Sequence, residues 1–242
     1  MAHRNTVNIM ETKFRHNLNF LKKRNIPMIL GEVGTVLSTS TKNENQDLYN
    51  SLGSALWTLD FLLYGMSMGI ERVSMQMSTT FKISAWRPTK GKAVHGSFYG
   101  LVAGADFIGE LGNLQIRHLS TDGHRNIAGY AGYNAGKLSR VVVLNLNPWN
   151  RTAAHPERPT RNVDLSGLGD DVKRLRISRL TAPDGVADQN ITWAGKRWTA
   201  EDDGKEYQDG ERPVIIEVKN GAPVRNVTVW ASEAVLVEVL RI

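Results

Sequence analysis

One acidic residue is placed where a catalytic carboxylate could act. Glu32 ends the short apolar run at residues 27–32, which is too brief for a helix and predicts a buried strand. In α/β sheets and barrels, catalytic groups gather at the carboxyl ends of the strands. The alternative is a glutamate that simply leaves the core into solvent where a strand ends. Position alone leaves both readings open.

Other common chemistries find no support in the sequence. The chain has no cysteine, which excludes disulfide scaffolds, thiol nucleophiles and cysteine-based zinc sites. Gly91-Lys92 and Gly136-Lys137 do not complete a phosphate-binding loop, and no Gly-x-Ser-x-Gly nucleophile elbow occurs. The six histidines lack zinc-protease spacing. We therefore expect no metal and no cofactor.

Helical and strand patterns alternate before residue 112. Helices are predicted at residues 12–25, 47–64 and about 97–109, and strands at 27–32 and 70–77. Gly65 is expected to cap the second helix, and the glycines at 100, 104 and 109 to allow close helix packing. In the strand at 70–77, Val73, Met75 and Met77 are expected to share one side. This alternation is typical of a parallel α/β sheet or barrel.

The chain after residue 112 is dominated by short strand patterns and turn signals. Strands are predicted at 114–119, 127–133, 138–146, 172–180, 213–218 and 234–240. Turns are predicted at Asp122-Gly123, Asn134–Gly136, Asp184-Gly185, Asp209-Gly210 and Asn220-Gly221. This pattern predicts an antiparallel β-sandwich. The resulting division is an α/β domain at 1–111 and an all-β domain at 112–242.

The composition predicts a globular protein with a basic surface. The 242 residues carry a net charge of +6, which raises nucleic acid as a partner. The densest basic cluster lies in a strand pattern where Leu175 and Ile177 alternate with Arg174, Arg176 and Ser178. A solvated strand face explains that pattern better, so we expect no nucleic-acid partner. No membrane span or signal peptide is expected in this chain, and glycosylation patterns occur at Asn150, Asn190 and Asn226.

Several motifs together resemble glycoside hydrolase family 79, which includes fungal and bacterial β-glucuronidases and heparanase relatives. The specific segments are Gly31-Glu32 and Ala55-Leu-Trp-Thr-Leu-Asp60, and the segments at 85–88 and 98–101 support them. The opening at 3–6 and the strand at 137–146 resemble the fungal members. The resemblance implies the C-terminal part of a (β/α)8 barrel, about its last two βα units, followed by an antiparallel β-sandwich.

The resemblance also implies roles for particular residues. Glu32 would be the nucleophile of a retaining glycosidase, which requires a second carboxyl group about 5 to 5.5 Å away. Tyr99 and the backbone of Gly100 would bind a uronate carboxylate, although Tyr99 could equally be a core aromatic. Trp86 is either a sugar platform or a loop anchor. Val33-Gly34-Thr35 and Ser74-Met-Gln-Met77 depart from polar segments typical of the family, which puts activity or specificity in doubt.

The family's first six strands and its acid/base glutamate have no counterpart in this sequence. Glu11, Glu44, Glu71 and Glu110 are not convincing substitutes, so we expect the chain alone to be inactive. The whole parent enzyme would be secreted and act on a glucuronide or uronate-containing glycan, and the missing barrel segment is a possible partner. Two other readings remain open: a non-catalytic carbohydrate-binding protein, and a structural module that docks onto a separately encoded barrel.

Overall fold

The structure is a computed structural model of the chain. It describes residues 2–35, 50–78, 83–88, 93–110, 113–121, 123–152, 157–165, 168, 171–218 and 226–241. The predicted loop containing Glu44, and the predicted turns at Asp122 and at Asn220-Gly221, lie wholly or partly outside these residues.

The first part of the chain alternates helices and strands, as its patterns predict. The elements are α1 (His3–Ile9), a π-helical turn (Met10–Phe14), α2 (Arg15–Lys22), β1 (Met28–Val33), α3 (Leu52–Met68), β2 (Ile70–Met75), β3 (Trp86–Arg87), β4 (Ala93–Val94) and α4 (Gly96–Ile108). Strands β1 and β2 are parallel neighbours, and α3 connects them. This is one βαβ unit followed by a further helix; that these elements are the last two βα units of a (β/α)8 barrel remains a prediction.

Two glycine assignments in the helices need correction. Gly65 does not cap α3, because the helix continues to Met68 and ends at Gly69, whose φ of 106° suits a residue without a side chain. Gly65 instead lies inside the helix, where a Cβ would be 3.2 Å from the Met10 side chain. Gly109 ends α4 with a positive φ of 73°, so it is not a packing glycine.

Helices α3 and α4 cross at a very short distance at Gly100. A Cβ on Gly100 would lie 2.3 Å from the Ala55 carbonyl oxygen and 2.9 Å from the Thr58 Cβ. Any side chain would therefore push the helices apart. Close packing, which the glycine pattern predicted, is what the structure shows at this position.

The second part of the chain forms a large antiparallel sheet and a small one. The strands of this part are β5 (Gln115–His118), β6 (Ile127–Asn134), β7 (Lys137–Asn145), β8 (Thr160–Asp164), β9 (Arg174–Thr181), β10 (Thr192–Trp193), β11 (Lys196–Thr199), β12 (Lys205–Gln208), β13 (Val214–Glu217), β14 (Asn226–Trp230) and β15 (Glu233–Leu240). The order in the large sheet is β12-β11-β10-β9-β15-β7-β6-β5, and β13 also pairs with β9. Strands β8 and β14 form a separate two-stranded sheet.

Side chains alternate between the two faces of the large sheet. Val142, Leu144 and Leu236 belong to a core that also contains the apolar side chains of α3 and α4. Their neighbours Val141, Val143 and Val235 belong to a second core with β8 and β14. The large sheet therefore lies between the helices on one face and a small sheet on the other. The helical and β-rich parts share the first core.

The sandwich prediction is confirmed at the level of a large antiparallel sheet, although the second layer is small. The sequence patterns missed β8, β10, β11, β12 and β14, which are short and mostly polar. One side-chain assignment was wrong: Ser178 is buried, because it faces the helix side of β9. Likewise, β2 ends at Met75, and Met77 lies beyond it with 49% of its surface exposed.

Candidate active site

A β-bulge lies at Glu32. Leu30 pairs with Val73 and Val33 pairs with Met75, so β1 carries one more residue than β2 over this interval. Leu30 and Val33 are both buried, whereas Gly31 and Glu32 between them are exposed. The bulge thus turns Glu32 away from the helix-facing core. Bulges of this kind occur preferentially beside active sites, where they redirect a side chain.

The Glu32 side chain is exposed at the surface of the described part of the chain. It forms no hydrogen bond or ion pair with any residue that the structure describes. An ideal Cβ on the adjacent Gly31 would have no atom within 4 Å, so the space beside this strand end is also open. The structure therefore places Glu32 at the carboxyl end of a parallel strand, where a ligand could reach it.

Two of the other candidate acids are positioned for different tasks. Glu71 is the second residue of β2, three residues before the level of Glu32, which corresponds to about 10 Å along the strand. Glu11 accepts hydrogen bonds from Arg15 at 2.5 Å and from the Tyr64 hydroxyl at 2.8 Å. The bond from Arg15, together with its charge, lowers the pKa of Glu11, which keeps Glu11 ionised.

Tyr99 joins α4 to the large sheet. Its ring is buried and makes edge contacts with Phe98 and Trp198, at 6.0 and 5.6 Å between centroids. Its hydroxyl accepts a hydrogen bond from the Trp198 backbone N–H at 3.3 Å. Burial raises the pKa of Tyr99, so the phenol stays neutral. These contacts suit a core aromatic, although Tyr99 also lines the cavity described next.

A polar cavity of about 250 Å³ lies between the β3–β4 hairpin, the start of α4 and β11. Its lining includes Tyr99, Arg87, Arg197, Asp188 and Glu201. Arg197 pairs with Asp209, whereas Arg87 has no ion-pair partner among the described residues. Glu32 is not among the described residues that line this cavity. The structure therefore separates the predicted nucleophile from the cavity that Tyr99 lines.

Trp86 packs against the β-rich part of the chain. It is half-buried in β3, pairs with Val94, and lies against the turn after β11. A Cβ on Gly204 in that turn would be 3.5 Å from the Trp86 ring. The indole N–H is buried and has no hydrogen-bond partner among the residues that the structure describes. This packing favours the loop-anchor reading over an open sugar platform.

A buried polar network that the sequence patterns missed connects four elements of the fold. The Asp60 carboxylate accepts hydrogen bonds from His3 Nδ1 at 2.9 Å and from the Tyr130 hydroxyl at 2.6 Å. His3 Nε2 lies 2.9 Å from His118 Nε2. Asp60 is the only acidic or basic residue in the apolar helix α3, which was the available signal. The network links α1, α3, β5 and β6.

Comparisons with known proteins assign the β-rich part. Residues 129–236 match the sequence profile described as "Glycosyl hydrolase family 79 C-terminal beta domain". The chain is related to glycoside hydrolase family 79. This confirms the family resemblance that the motifs predicted, and the matched segment runs from β6 into β15 of the fold described above.

Two curated relatives agree with this family 79 resemblance. A β-glucuronidase of Neurospora crassa is 29% identical over 220 residues, which cover 78% of this chain and 38% of the relative. A β-glucuronidase of Aspergillus niger is 28% identical over 225 residues, which cover 88% of this chain and 38% of the relative. The chain therefore spans about two fifths of the length of these relatives.

The fold is also present in larger solved enzymes. A 4-O-α-L-rhamnosyl-β-D-glucuronidase from Fusarium oxysporum superposes with a TM-score of 0.78 at 21% identity, over 98% of this chain and 48% of the other. A GH51 arabinofuranosidase from Xanthomonas axonopodis pv. citri superposes with a TM-score of 0.59 at 15% identity, over 97% and 46%. At these identities the likeness is one of fold.

Membrane-spanning helices and metal-ligand clusters are two further features that the described residues could contain. No helix in the described ranges combines the length and apolar character needed to cross a membrane. Within the same ranges, no group of three or more histidine, aspartate or glutamate side chains is arranged to hold a metal ion.

Proposed function

We propose that this chain is part of a retaining β-glucuronidase-like glycoside hydrolase in which Glu32 is the nucleophile. The observation that carries the proposal is the bulge in β1, which presents an exposed carboxylate at the carboxyl end of a parallel strand. The relatives named β-glucuronidase support a glucuronide as the substrate class. The whole enzyme would be secreted and act on glucuronides or uronate-containing glycans.

The proposed reaction assigns one half of the catalytic pair to this chain. The Glu32 carboxylate attacks the anomeric carbon, the bond between that carbon and the leaving oxygen breaks, and a glycosyl ester forms. A second carboxyl group protonates the leaving oxygen and later activates water. Neither Glu71 nor Glu11 suits that task in this geometry, so we place the acid/base on a segment outside the described residues. Without that second carboxyl group, glucuronides whose leaving groups need a proton should not be hydrolysed.

The nucleophile can be tested with substrates whose leaving groups need no proton. We expect a glucuronyl fluoride, fluorinated also beside the anomeric carbon, to label the 242-residue chain covalently. Peptide mass spectrometry should locate the sugar on Glu32. Azide should accelerate release of dinitrophenol from dinitrophenyl β-D-glucuronide, because azide can open the glycosyl ester without general-base help. Glu32→Gln should reduce that azide-dependent rate by about 100-fold or more.

Glu71→Gln is the matched control, since it removes a carboxylate from the other end of the same strand pair. It should retain both labelling and azide-dependent turnover. Labelling on another residue, or equal labelling of Glu32→Gln, would contradict the assignment. Steady hydrolysis of an unactivated glucuronide that disappears in Glu32→Gln would show that the acid/base lies within this chain.

The second candidate function is carbohydrate binding without hydrolysis, and the polar cavity beside Tyr99 favours it. The Arg87 guanidinium has no described ion-pair partner and could pair with a uronate carboxylate. Arg87→Gln removes that charge and spares the buried Tyr99 ring. Calorimetric titration with a uronate oligosaccharide should then show binding that is lost in Arg87→Gln and retained in Glu32→Gln.

A further inference from the structure

A second cavity lies on the other side of α3 and differs in character. It encloses about 470 Å³ between the first turns of α3, the loop after β7 and the loop at 185–186. Its apolar lining consists of Leu56, Trp57, Leu146, Pro148, Trp149 and Val186. A volume of this size, with mainly apolar and aromatic walls, is typical of small-molecule sites.

The walls of this apolar cavity are held in place by backbone hydrogen bonds. The N–H groups at the start of α3 donate to the 185–187 loop: Leu52 to the Ala187 carbonyl at 2.9 Å, and Gly53 to the Gly185 carbonyl at 3.1 Å. Gly185 in turn donates to the Trp149 carbonyl at 2.9 Å. These bonds satisfy groups that a helix start leaves free, so the cavity is preformed.

Both tryptophans in the wall are fixed by neighbours. Trp57 stacks with Phe61 at 4.9 Å between ring centroids. Arg158 lies over the Trp149 ring at 5.1 Å, and three backbone carbonyls, those of Ala182, Ala231 and Ser232, accept hydrogen bonds from its guanidinium. Fixed aromatic side chains bind ring-shaped ligands at a low entropic cost.

The cavity favours an uncharged occupant. None of its described lining residues is charged; its polar groups come from hydroxyl and amide side chains such as Thr35, Ser54 and Asn150. An ion would lose its hydration there without gaining a counter-charge. The polar cavity beside Tyr99, with its two arginines and two acids, is the opposite case. The two cavities therefore suit chemically different groups: the apolar cavity an uncharged group, and the polar cavity a charged one.

We propose that the apolar cavity binds an uncharged six-membered ring with one apolar face, either a neutral sugar unit or an aryl group. Its place in the reaction rests on the proposed function. Thr35 lines the cavity and follows Glu32 by three residues, so their Cα atoms are no more than about 11 Å apart. A glycan or aryl glycoside held by Glu32 could extend its neutral portion into this cavity.

The test uses three small probes and the indole N–H signals of the six tryptophans in a two-dimensional NMR spectrum. Methyl β-D-glucoside is the neutral sugar, phenol is the aryl group, and methyl β-D-glucuronide is the sugar with an added charge. We expect saturable shifts of the Trp57 and Trp149 signals with at least one neutral probe. The glucuronide should bind about tenfold more weakly than the glucoside if the sugar is the occupant.

Val186→Trp should fill the cavity and weaken the binding of the neutral probe by about tenfold or more. Val214→Trp is the matched control, because Val214 is a similarly exposed valine on β13, outside the cavity. The proposal would be overturned by the absence of a saturable shift with both neutral probes, or by intact binding of the neutral probe in Val186→Trp. If the glucoside binds, equally tight binding of the glucuronide would also overturn it. Glu32→Gln should bind the probes normally, so a failed nucleophile assignment would leave this site standing.

Discussion

At the scale of single residues, Asp60 shows how a buried charge can hold a fold together. Its side chain is 1% exposed and accepts hydrogen bonds from His3 and Tyr130. Burial and the adjacent Asp60 charge raise the pKa of Tyr130 well above its usual range, so this hydroxyl remains a donor. When a buried carboxylate loses a hydrogen-bond donor, the free-energy cost of its desolvation is no longer offset.

Tyr130→Phe should therefore destabilise the protein by about 1.5 to 3 kcal/mol, since it removes a hydrogen bond to a charged group and keeps the ring. Urea unfolding followed by circular dichroism measures the change. Tyr133→Phe, on the same strand β6, is the control, because its hydroxyl has no hydrogen bond among the described residues. Equal stability of the two variants would show that the bond to Asp60 contributes little.

At the scale of elements, His95 connects the β3–β4 hairpin to the start of α4. It is 4% exposed, and its Nδ1 lies 2.7 Å from the Ser84 carbonyl oxygen. Burial, reinforced by the nearby Arg87 charge, lowers the pKa of His95 to about 4. The unfolded chain takes up a proton near pH 6.5 and the folded chain does not. The free energy of unfolding therefore decreases progressively, because of His95, as the pH falls from about 6.5 to about 4.

His95→Gln should remove this acid sensitivity while it keeps a side-chain N–H for the Ser84 carbonyl. The pKa difference corresponds to about 3 kcal/mol, so the variant should lose less stability than the parent by about that amount between neutral pH and pH 4. Urea unfolding at a series of pH values gives the comparison. His124→Gln, at an exposed loop position, should retain the parental pH dependence.

At the scale of the whole molecule, the parallel pair β1–β2 exposes strand edges and apolar side chains among the described residues. Among the described residues, each of these strands pairs only with the other. Ile29 on β1 is 51% exposed. Phe20 and Ile26, which precede β1, and Met77, which follows β2, are each about half exposed. Unpaired strand edges and exposed apolar side chains favour association.

We expect this chain to self-associate as its concentration rises, and Ile29→Thr to reduce that association. Sedimentation velocity over a concentration series measures the effect. Ile215→Thr is a close control, because Ile215 is an isoleucine on a strand, β13, with 49% exposure. An equal reduction in both variants would attribute association to general surface hydrophobicity instead of the β1–β2 pair.

The longer elements could be predicted from the sequence, because their patterns are local. Helix α3 carries a continuous apolar repeat, β9 alternates, and β7 and β15 contain uninterrupted apolar runs, so each was located within a few residues. Strand β14 and the two-residue β10 were missed, since short segments carry too little pattern to distinguish them from turns. The end of α3 was misplaced because Gly65 and Gly69 are equally plausible caps from sequence alone.

The sequence by itself determined that an acidic residue ends an apolar strand, that cysteine chemistry is absent, and that family 79 motifs are present. Only the tertiary structure decided which residues meet. The bulge at Glu32 depends on pairing with β2, and the Asp60 network joins residues 57 and 70 positions apart. The apolar cavity likewise requires α3 to pack on loops more than 80 residues distant in the chain. Such contacts follow from how elements pack, which periodicity along the chain does not encode.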